Sequence, residues 1–245
     1  MSINGDSGGT PRSAPRTARE RARAEITSEI LEAGRRHLAT DGAAGLSLRA
    51  IARDLGMVSS AVYRYVSSRD DLLTKLIIDA YNSLGAAAET CEAQADRHDL
   101  FGRWTSICTA VRDWAIGNPN EYALIYGSPV PGYVAPQDTI GPASRVSILL
   151  VQILIDAATT GRTVPSPGTT SPGPWRAALA PVRSVIPPDV SDDAIQAGLM
   201  VWSGLLGVVS LELFGQFHNV VADGGADRDA FFAECVTRWA TQVGI

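Results

Sequence analysis

The stretch LSLRAIARDLGMVSSAVYRYVSSRDDLL, residues 46–73, decides the fold of this chain. Four of its apolar residues recur with the spacing that places them on one face of a short helix, namely Leu48, Ile51, Ala52 and Leu55. Ser47 stands where a side chain can cap that helix, and Gly56 stands where a left-handed backbone commonly follows one. The first part of the stretch therefore predicts a short helix that ends at a glycine turn.

A second short helix follows after only three or four residues. Val62 and Val66 lie one turn apart on its inner face. Its outer face carries small and polar residues, namely Ser59, Ser60, Ala61, Tyr63 and Arg64. Two short helices joined by such a turn are typical of the helix-turn-helix, in which the second helix enters the major groove of DNA. We therefore predict that the second helix is the recognition helix.

The residues IARDLGMVSSAVYRYVSSRDDLL also resemble the signature of the TetR family of bacterial transcriptional regulators. Seven positions match that signature, namely Ile51, Ala52, Gly56, Tyr63, Arg69, Leu72 and Leu73. Val58 stands where a small capping Ser is common, so Ser59 is the alternative cap, and Val66 stands where an aromatic residue is common. The resemblance implies an all-α chain, with an N-terminal three-helix helix-turn-helix domain that binds DNA and a C-terminal helical domain for ligand binding and dimerisation.

Charge is distributed unevenly along the chain. Residues 1–69 hold 11 Arg and no Lys against 7 acidic residues, a net charge of +4, whereas residues 70–245 hold 10 basic and 19 acidic residues, a net charge of -9. Apolar residues make up 45% and charged residues 19% of the chain, which is ordinary for a soluble globular protein. A basic first quarter on an acidic remainder predicts one end that faces DNA.

These patterns divide the chain into a disordered arm (residues 1–18), a helix-turn-helix domain (residues 19–67) and a helical body (residues 68–245). Five arginines run from the arm into the first helix, namely Arg12, Arg16, Arg19, Arg21 and Arg23. They form either a solvated charged tail or an arm that follows phosphates or enters the minor groove. We favour the arm because it directly precedes the helix-turn-helix.

Two further helices are predicted around the helix-turn-helix. An apolar stripe over residues 19–40 predicts the first helix, which an Asp-Gly pair at 41 and 42 would end. His37 lies beside that stripe, and we interpret it as a partly buried structural histidine rather than a ligand. Ser68 can cap a fourth helix whose first turn holds two aspartates, as the helix dipole favours. The resemblance implies that this long helix joins the DNA-binding head to the body.

The body is predicted to be helical throughout. Asn118 precedes a proline in a first helical position and would cap a helix there, and Ser191 would cap the helix that begins at residue 192. Residues 146–155, VSILLVQILI, are apolar on all sides except for one glutamine and predict a central buried helix. Prolines and glycines predict loops at residues 127–136 and 163–174.

The chain ends in two long predicted helices, residues 192–219 and 229–243. The resemblance implies that this pair forms a four-helix dimer interface with its copy in a second subunit. The segment VWSGLLGVVSLELFGQF also resembles a C-terminal subgroup named for a Trp-His-Gly motif. Trp202 and Gly207 match that motif, whereas Leu206 takes the place of the histidine.

The candidate DNA contacts fall into two groups. Ser60, Ala61 and Arg64 are placed to approach base edges, and an arginine can donate two hydrogen bonds to guanine. Phosphate contacts are predicted for Ser47, Arg49, Tyr63, Tyr65 and Arg69, with Ser59 beside them at the helix start. The alternative for one of the two tyrosines is packing against the first helix. Because one recognition helix reads few base pairs, we expect a homodimer on a palindromic double-stranded operator, with half-sites about 34–36 Å apart.

The body is larger than DNA binding alone requires. The resemblance implies a small-molecule pocket in it, whose occupation changes the spacing of the two heads. Such pockets prefer aromatic walls with few polar groups, and we select Trp104, Tyr126 and Gln152 as candidate lining residues, with core packing as the alternative for each. The sequence identifies neither the effector nor the sign of regulation.

Several other classes are disfavoured. The chain has no Gly-rich phosphate loop, nucleophile elbow, HExxH motif or Cys/His cluster, so we predict no enzyme activity, cofactor or metal. Its three cysteines are far apart, as in a reduced cytoplasmic protein. The uncharged residues 194–211 are better explained by a buried or interface helix than by a membrane span. The sequence therefore predicts a ligand-responsive repressor, and the alternative is a helix-turn-helix protein without a ligand.

Overall fold

The computed structural model describes residues 17–162, 174–184, 186–188, 190–222 and 224–245. Over these ranges the chain forms α-helices, one 3-10 helix (Gln137–Thr139) and no strand, which confirms the predicted all-α class. The α-helices are α1 (Ala18–Gly45), α2 (Leu48–Asp54), α3 (Ser59–Val62), α4 (Arg69–Glu92), α5 (Leu100–Gly117), α6 (Pro119–Tyr126), α7 (Ile140–Thr159), α8 (Trp175–Ala178), α9 (Ala180–Arg183), α10 (Asp192–Leu213) and α11 (Gly225–Gln242). Nearly all of the predicted arm and of the predicted loop at 163–174 lies outside the described residues.

Helix α1 begins with a capping box and contains a break near its end. The Thr17 side chain accepts the Glu20 amide at 3.2 Å, and the Thr17 amide donates to the Glu20 carboxylate at 2.8 Å. Gly42 has a φ of +67°, which a glycine adopts at little cost. The predicted stop at residues 41 and 42 is therefore a break, after which the helix resumes for one short turn to Gly45.

The helix-turn-helix follows the predicted pattern in its first half. The Ser47 hydroxyl accepts the Ala50 amide at 3.4 Å, and Gly56 has a φ of +64°, as the glycine turn requires. The predicted alternative cap is wrong, because Val58 is the residue before α3 and Ser59 is its first helical residue. Val58 offers no side-chain hydrogen bond, so α3 starts without a polar cap.

Helix α4 belongs to the head at one end and to the body at the other. Ser68 caps it, as predicted, by accepting the Asp71 amide at 3.0 Å. The core of the head is formed by Ile30, Ala33, Leu46, Leu48, Ile51, Ala52, Val62, Val66, Leu72, Leu73 and Leu76. Farther along α4, Ala80, Leu84 and Ala88 enter the larger core of the body. The head core thus extends past residue 67 into α4, and the division at residues 67 and 68 stays a prediction.

In the body, α5 and α7 pack against α4, α10 packs against α5 and α7, and α11 packs against α5 and α10. The predicted burial of residues 146–155 on all sides is wrong, because Ile148 on α7 is 61% exposed. Asn118 precedes α6 as predicted, but its amide donates to the Trp114 carbonyl at 2.8 Å and does not cap the helix. Ser191 caps α10 as predicted by accepting the Ala194 amide at 3.1 Å.

Arginine ion pairs join the helices of the body. The guanidinium of Arg112 on α5 donates two hydrogen bonds to Glu212 on α10, each of 2.7 Å, and a third to Asp229 on α11. Arg103, also on α5, pairs with Glu92 at 2.6 Å and with Asp156 at 2.7 Å. Because each arginine bonds to carboxylates of two other helices, the ion pairs fix the angles at which these helices cross.

Among the residues that the structure describes, two segments are long and apolar enough to cross a membrane, namely Gln137–Thr159 and Asp192–Leu213, with mean hydropathies of 1.5 and 1.7. In the fold α7 and α10 both contribute residues to the body core. Length and composition alone therefore give little support for a membrane span.

Candidate nucleic-acid interface and effector cavity

Two of the candidate DNA contacts are guanidinium groups on the surface of the helix-turn-helix. Arg49 and Arg64 are both exposed. Neither side chain makes a hydrogen bond or an ion pair with the part of the chain that the structure describes. Ser60 is exposed on α3, and Ser59 and Ala61 of the same helix are half-buried. Arginines without an internal partner are available for phosphates and guanine edges.

The recognition segment, residues 59–66, is helical only over α3, so the predicted helix is shorter than its spacing to Val66 suggests. Its two tyrosines differ in their surroundings. Tyr63 is 47% exposed on the outer surface and stays a predicted phosphate contact. Tyr65 packs against the head core, and the Arg23 guanidinium lies over its ring at 5.3 Å. Tyr65 thus has the packing contacts of the alternative, and its phosphate contact stays a prediction.

Arg23 contacts the recognition segment from the first helix. Its Nη2 donates to the Arg64 carbonyl oxygen at 3.0 Å, in addition to its contact with the Tyr65 ring. The sequence places Arg23 among the arm arginines and gives no sign of this second role. Its partners lie 41 and 42 residues farther along the chain, and no local pattern reveals such a contact.

The candidates Ser47 and Arg69 also have structural contacts. The Ser47 hydroxyl accepts the cap hydrogen bond of α2, and its O–H remains able to donate. Arg69 donates to the carbonyl oxygens of Ala43 and Ala44 at 2.8 and 3.3 Å, so part of its guanidinium holds the end of α1. Both residues stay predicted phosphate contacts through their remaining donors.

His37 has the structural role predicted for it. Its side chain is mostly buried, with Nδ1 3.3 Å from Asp41 and Nε2 2.5 Å from Asp54. Asp41 lies in α1 and Asp54 is the last residue of α2, so His37 joins α1 to α2.

Two neighbouring cavities lie around the C-terminal end of α6. The inner cavity, of about 620 Å³, is bounded by α4, α6, α7 and α10, and includes Tyr81, Tyr126, Tyr133, Ser144, Ser147 and Trp202. The joint cavity, of about 730 Å³, lies between head and body, and includes Leu38, Gly42, Ala43, Ala123, Ser210 and Phe214. Both cavities share Leu124, Tyr126 and residues 127–130 as a wall. Their volumes suit a small organic molecule.

Tyr126 is the central residue of this wall. Its ring lies 5.9 Å from Tyr81, 5.2 Å from Tyr122 and 6.4 Å from Trp202 between centroids. The Tyr81 hydroxyl donates to the Ile125 carbonyl, and the Tyr122 hydroxyl bonds to the Leu206 carbonyl and to Ser210. The Tyr126 hydroxyl has no hydrogen-bond partner among the described residues. It is therefore available to a molecule in either cavity.

Burial further disfavours ionisation of the Tyr126 hydroxyl. Desolvation raises the pKa of Tyr126 well above its ordinary value, and the neighbouring Tyr81 and Tyr122 raise the pKa further. The phenol thus remains a neutral hydrogen-bond donor at any pH that a cell experiences.

The other two candidate ligand residues lie elsewhere. Trp104 is 1% exposed in the body core, and its indole N–H donates to the Val236 carbonyl at 3.1 Å. Gln152 donates to the Asp156 carboxylate at 3.1 Å. Neither residue lines the two cavities that Tyr126 lines, so the structure does not bring the three candidates together. Tyr81 and Trp202 take their place, and each has an apolar helical spacing that a core residue would share.

Within the described ranges, no group of three or more His, Cys, Asp or Glu side chains is arranged to hold a metal ion. The three cysteines are unpaired, with Cys108 buried in the core, where desolvation raises the pKa of its thiol.

Comparison with known proteins adds sequence evidence to this geometry. Residues 30–76 match the family described as bacterial regulatory proteins, tetR family, and residues 104–239 match the family described as tetracyclin repressor-like, C-terminal domain. The chain is 44% identical over 218 residues to the HTH-type transcriptional regulator Rv1816 of Mycobacterium tuberculosis. The matched region covers 86% of this chain and 91% of that protein.

Solved structures show the same fold. The protein SCO4313 superposes with a TM-score of 0.73 at 34% identity, covering 91% of this chain and 98% of the other. A protein of unknown function from Rhodococcus sp. RHA1 superposes with a TM-score of 0.67 at 22% identity, over 90% of this chain and 96% of the other, and shows the fold alone.

These relatives confirm a DNA-binding regulator and the prediction that the chain is not an enzyme. The resemblance to the Trp-His-Gly subgroup stays a prediction. One family profile covers the helix-turn-helix and the other covers more than half of the chain, so this protein belongs to the TetR family of bacterial transcriptional regulators.

Proposed function

We propose that the protein is a repressor that a small molecule releases from a palindromic operator, and that this effector binds in the inner cavity. The observation that carries the proposal is that one wall of the inner cavity also packs on the head. Leu124, Val130 and Tyr133 line the cavity, and the same three side chains contact the core of the helix-turn-helix. A molecule that displaces this wall therefore pushes directly on the DNA-binding head.

Helix α4 gives the effector a second route to the head. Ile77 and Tyr81 of α4 line the inner cavity. One turn before Ile77, the Thr74 hydroxyl bonds to the Tyr133 hydroxyl at 2.9 Å. Because Leu72, Leu73 and Leu76 of the same helix lie in the head core, a small shift of α4 changes the position of the recognition segment.

The side chains that line the inner cavity indicate which kind of molecule it can bind. Among the residues that the structure describes, none of the side chains lining the inner cavity carries a charge. The wall combines aromatic rings with hydroxyl groups, which favours an uncharged, partly aromatic molecule with a hydrogen-bond acceptor for Tyr126. An opening of this size favours a ligand over the ligand-free alternative, which stays the second candidate.

We infer that the operator-binding form is a dimer through α10 and α11. Met200, Ser203, Gly207 and Leu211 recur along one face of α10, and both Met200 and Leu211 are exposed apolar side chains. Phe231 is exposed on α11. Covering such a face with a second copy of itself would bury it from water and place two heads on successive major grooves of DNA in the cytoplasm. A Met200→Asp variant that remains dimeric in analytical ultracentrifugation would contradict this interface.

The effector proposal is tested on the protein's own operator. Binding-site selection from genomic DNA identifies that operator, and fluorescence anisotropy then measures its release by a library of uncharged aromatic compounds. Ala143→Phe places a ring in the inner cavity, and Ile148→Phe adds the same ring to the exposed face of the same helix. We expect compounds that release the wild type to release Ile148→Phe but not Ala143→Phe. Equal release of both variants, or no releasing compound, would reject the inner cavity as the effector site.

Tyr126→Phe gives a finer test of the anchor. The variant removes only the hydroxyl that has no partner in the described structure, so stability should change little. Loss of one neutral hydrogen bond should weaken the response to an acceptor-containing effector by about 2- to 10-fold. An unchanged response would show that Tyr126 supplies only its ring.

A further inference from the structure

The joint cavity is built from both parts of the protein. Its head side consists of Leu38, Gly42 and Ala43, from the last turns of α1. Its body side comes from α6, from residues 127–130 and from the end of α10. At about 730 Å³ it lies within the range of small-molecule sites, and any occupant contacts head and body at once.

The lining of the joint cavity selects the charge of its occupant. Among the described residues that line it, none has a charged side chain. The polar groups are the Asn120 amide and the hydroxyls of Tyr126, Ser128 and Ser210, and apolar surface comes from residues such as Phe214. Burying an ion without a partner of opposite charge is costly, whereas a neutral molecule loses little. The cavity therefore fits an uncharged, largely apolar molecule with one or two hydrogen-bonding groups.

The turn on the head side of the joint cavity also positions Arg69, which is a candidate DNA contact. The carbonyl oxygens of Ala43 and Ala44 accept hydrogen bonds from Arg69. Gly42 has a left-handed backbone, and a methyl group added there would meet nothing within 4 Å, so the space beside this turn is open. A molecule seated against the turn restricts the chain that positions the Arg69 guanidinium.

We propose that the joint cavity is a second binding site, distinct from the inner cavity, for an uncharged and largely apolar small molecule that bridges head and body. Occupation of this site fixes the head against α6 and the end of α10. The inference does not depend on the effector role of the inner cavity, because each site has lining residues of its own, such as Ala123 and Ala143, besides the wall that the two sites share.

The two sites can be separated by matched variants. Ala123 lines the joint cavity alone and Ala143 lines the inner cavity alone, so Ala123→Phe and Ala143→Phe each fill one site with the same ring. The probe is 6-propionyl-2-dimethylaminonaphthalene, an uncharged dye whose ketone can accept a hydrogen bond from Tyr126. Backbone hydrogen–deuterium exchange of the full-length protein, followed by mass spectrometry, shows where the dye binds. Thermal unfolding of each variant without dye checks that it folds.

We expect the dye to slow exchange in residues 38–45 of the wild type and of Ala143→Phe. In Ala123→Phe that protection should disappear, with an apparent affinity for this site at least about tenfold weaker, while any protection of residues 139–147 remains. The anionic dye 1-anilinonaphthalene-8-sulfonate should not protect residues 38–45.

Three results would overturn the proposal: no protection of residues 38–45 by the neutral dye, equal protection in Ala123→Phe, or equal protection by the anionic dye. Should a ring at residue 123 unfold the protein, Ala123→Leu replaces it with the same expected loss of protection. If the effector proposal is wrong, Ala143→Phe will still release operator DNA when a compound that releases the wild type is added. The two proposals can therefore be refuted independently.

Discussion

Replacing Arg23 tests whether this residue supports the recognition segment or contacts DNA. Arg23→Met removes the hydrogen bond to the Arg64 carbonyl and the cation–π interaction with the Tyr65 ring, while it keeps the length and helical propensity of the side chain. A neutral hydrogen bond contributes about 0.5–1.5 kcal/mol and an exposed cation–π interaction about 0.5–1 kcal/mol. Because Arg23 is exposed, we take about 1 kcal/mol per subunit, or about 2 kcal/mol per dimer, which is about 30-fold in operator affinity.

The salt dependence of operator binding distinguishes the two roles. Removing one phosphate-binding arginine from each of two subunits lowers the slope of log affinity against log salt by about 1.8, whereas removing an internal support leaves the slope nearly unchanged. Arg21→Met is the matched control, because Arg21 is an exposed residue of the same helix and a predicted arm residue. We expect Arg21→Met to reduce the slope and Arg23→Met to reduce the affinity at a constant slope. A slope that falls equally in both variants would refute the support role of Arg23.

Three further predictions concern the stability of the body. Arg112→Met leaves the buried Glu212 carboxylate without its main partner and should lower the free energy of unfolding by about 3 kcal/mol in a denaturant titration. Gly85→Ala places a methyl group 2.7–2.8 Å from the Arg145 side chain and should cost about 1–3 kcal/mol in the same measurement. The hydrogen bond from Arg145 lowers the pKa of Glu89, so this ion pair stabilises the fold at pH values above the ordinary carboxyl pKa. That stabilisation is lost as pH falls through the lowered pKa of Glu89. In Glu89→Gln the free energy of unfolding should therefore fall less steeply as the solution is acidified.

Two of the three stability predictions have a matched control within the chain. Arg238→Met breaks an exposed pair between residues one helical turn apart and should change the free energy of unfolding by less than about 0.5 kcal/mol. Gly141→Ala adds a methyl group in α7 that meets nothing within 4 Å, so it should be neutral or slightly stabilising. A Gly85→Ala variant as stable as Gly141→Ala would mean that Arg145 moves aside without loss. An Arg112→Met variant as stable as Arg238→Met would mean that the buried pair has no net value.

The sequence predicts those features that depend on neighbouring residues. The caps at Ser47, Ser68 and Ser191 and the left-handed Gly56 are all predicted correctly, because a cap or a turn involves residues within about four positions. The prediction that Ser59 caps α3 uses the same local rule and is wrong. A serine near a helix start usually caps it, yet the chain places Val58 in that position and supports the segment through Tyr65 and distant residues instead.

The cavities could not be predicted in the same way. Tyr81, Tyr126 and Trp202 come from three helices, and their meeting depends on how those helices cross. Trp104 and Trp202 both stand in apolar helical stripes, yet one is sealed in the core and the other borders a cavity. Periodicity identifies the inward face of a helix but not whether the space opposite is filled, so only one of three candidate ligand residues, Tyr126, lies at a cavity.

The positions of the ion pairs along α4 determine where that helix can transmit movement. Arg145 holds Glu89 and Asn82, and Arg103 holds Glu92, so the C-terminal half of α4 is tied to α5 and α7 by charged groups. The N-terminal half is joined to α1 within the head by apolar packing, by the Arg35–Asp79 ion pair and by the Arg69 hydrogen bonds, and it faces the cavity wall. On the proposed effector role of the inner cavity, we expect an occupant to move the head end of α4 together with the head, while the ion pairs to α5 and α7 hold the body end. Weakening the fixed end, as Glu89→Gln does, should therefore reduce the effector's influence on operator affinity even though Glu89 lines neither cavity.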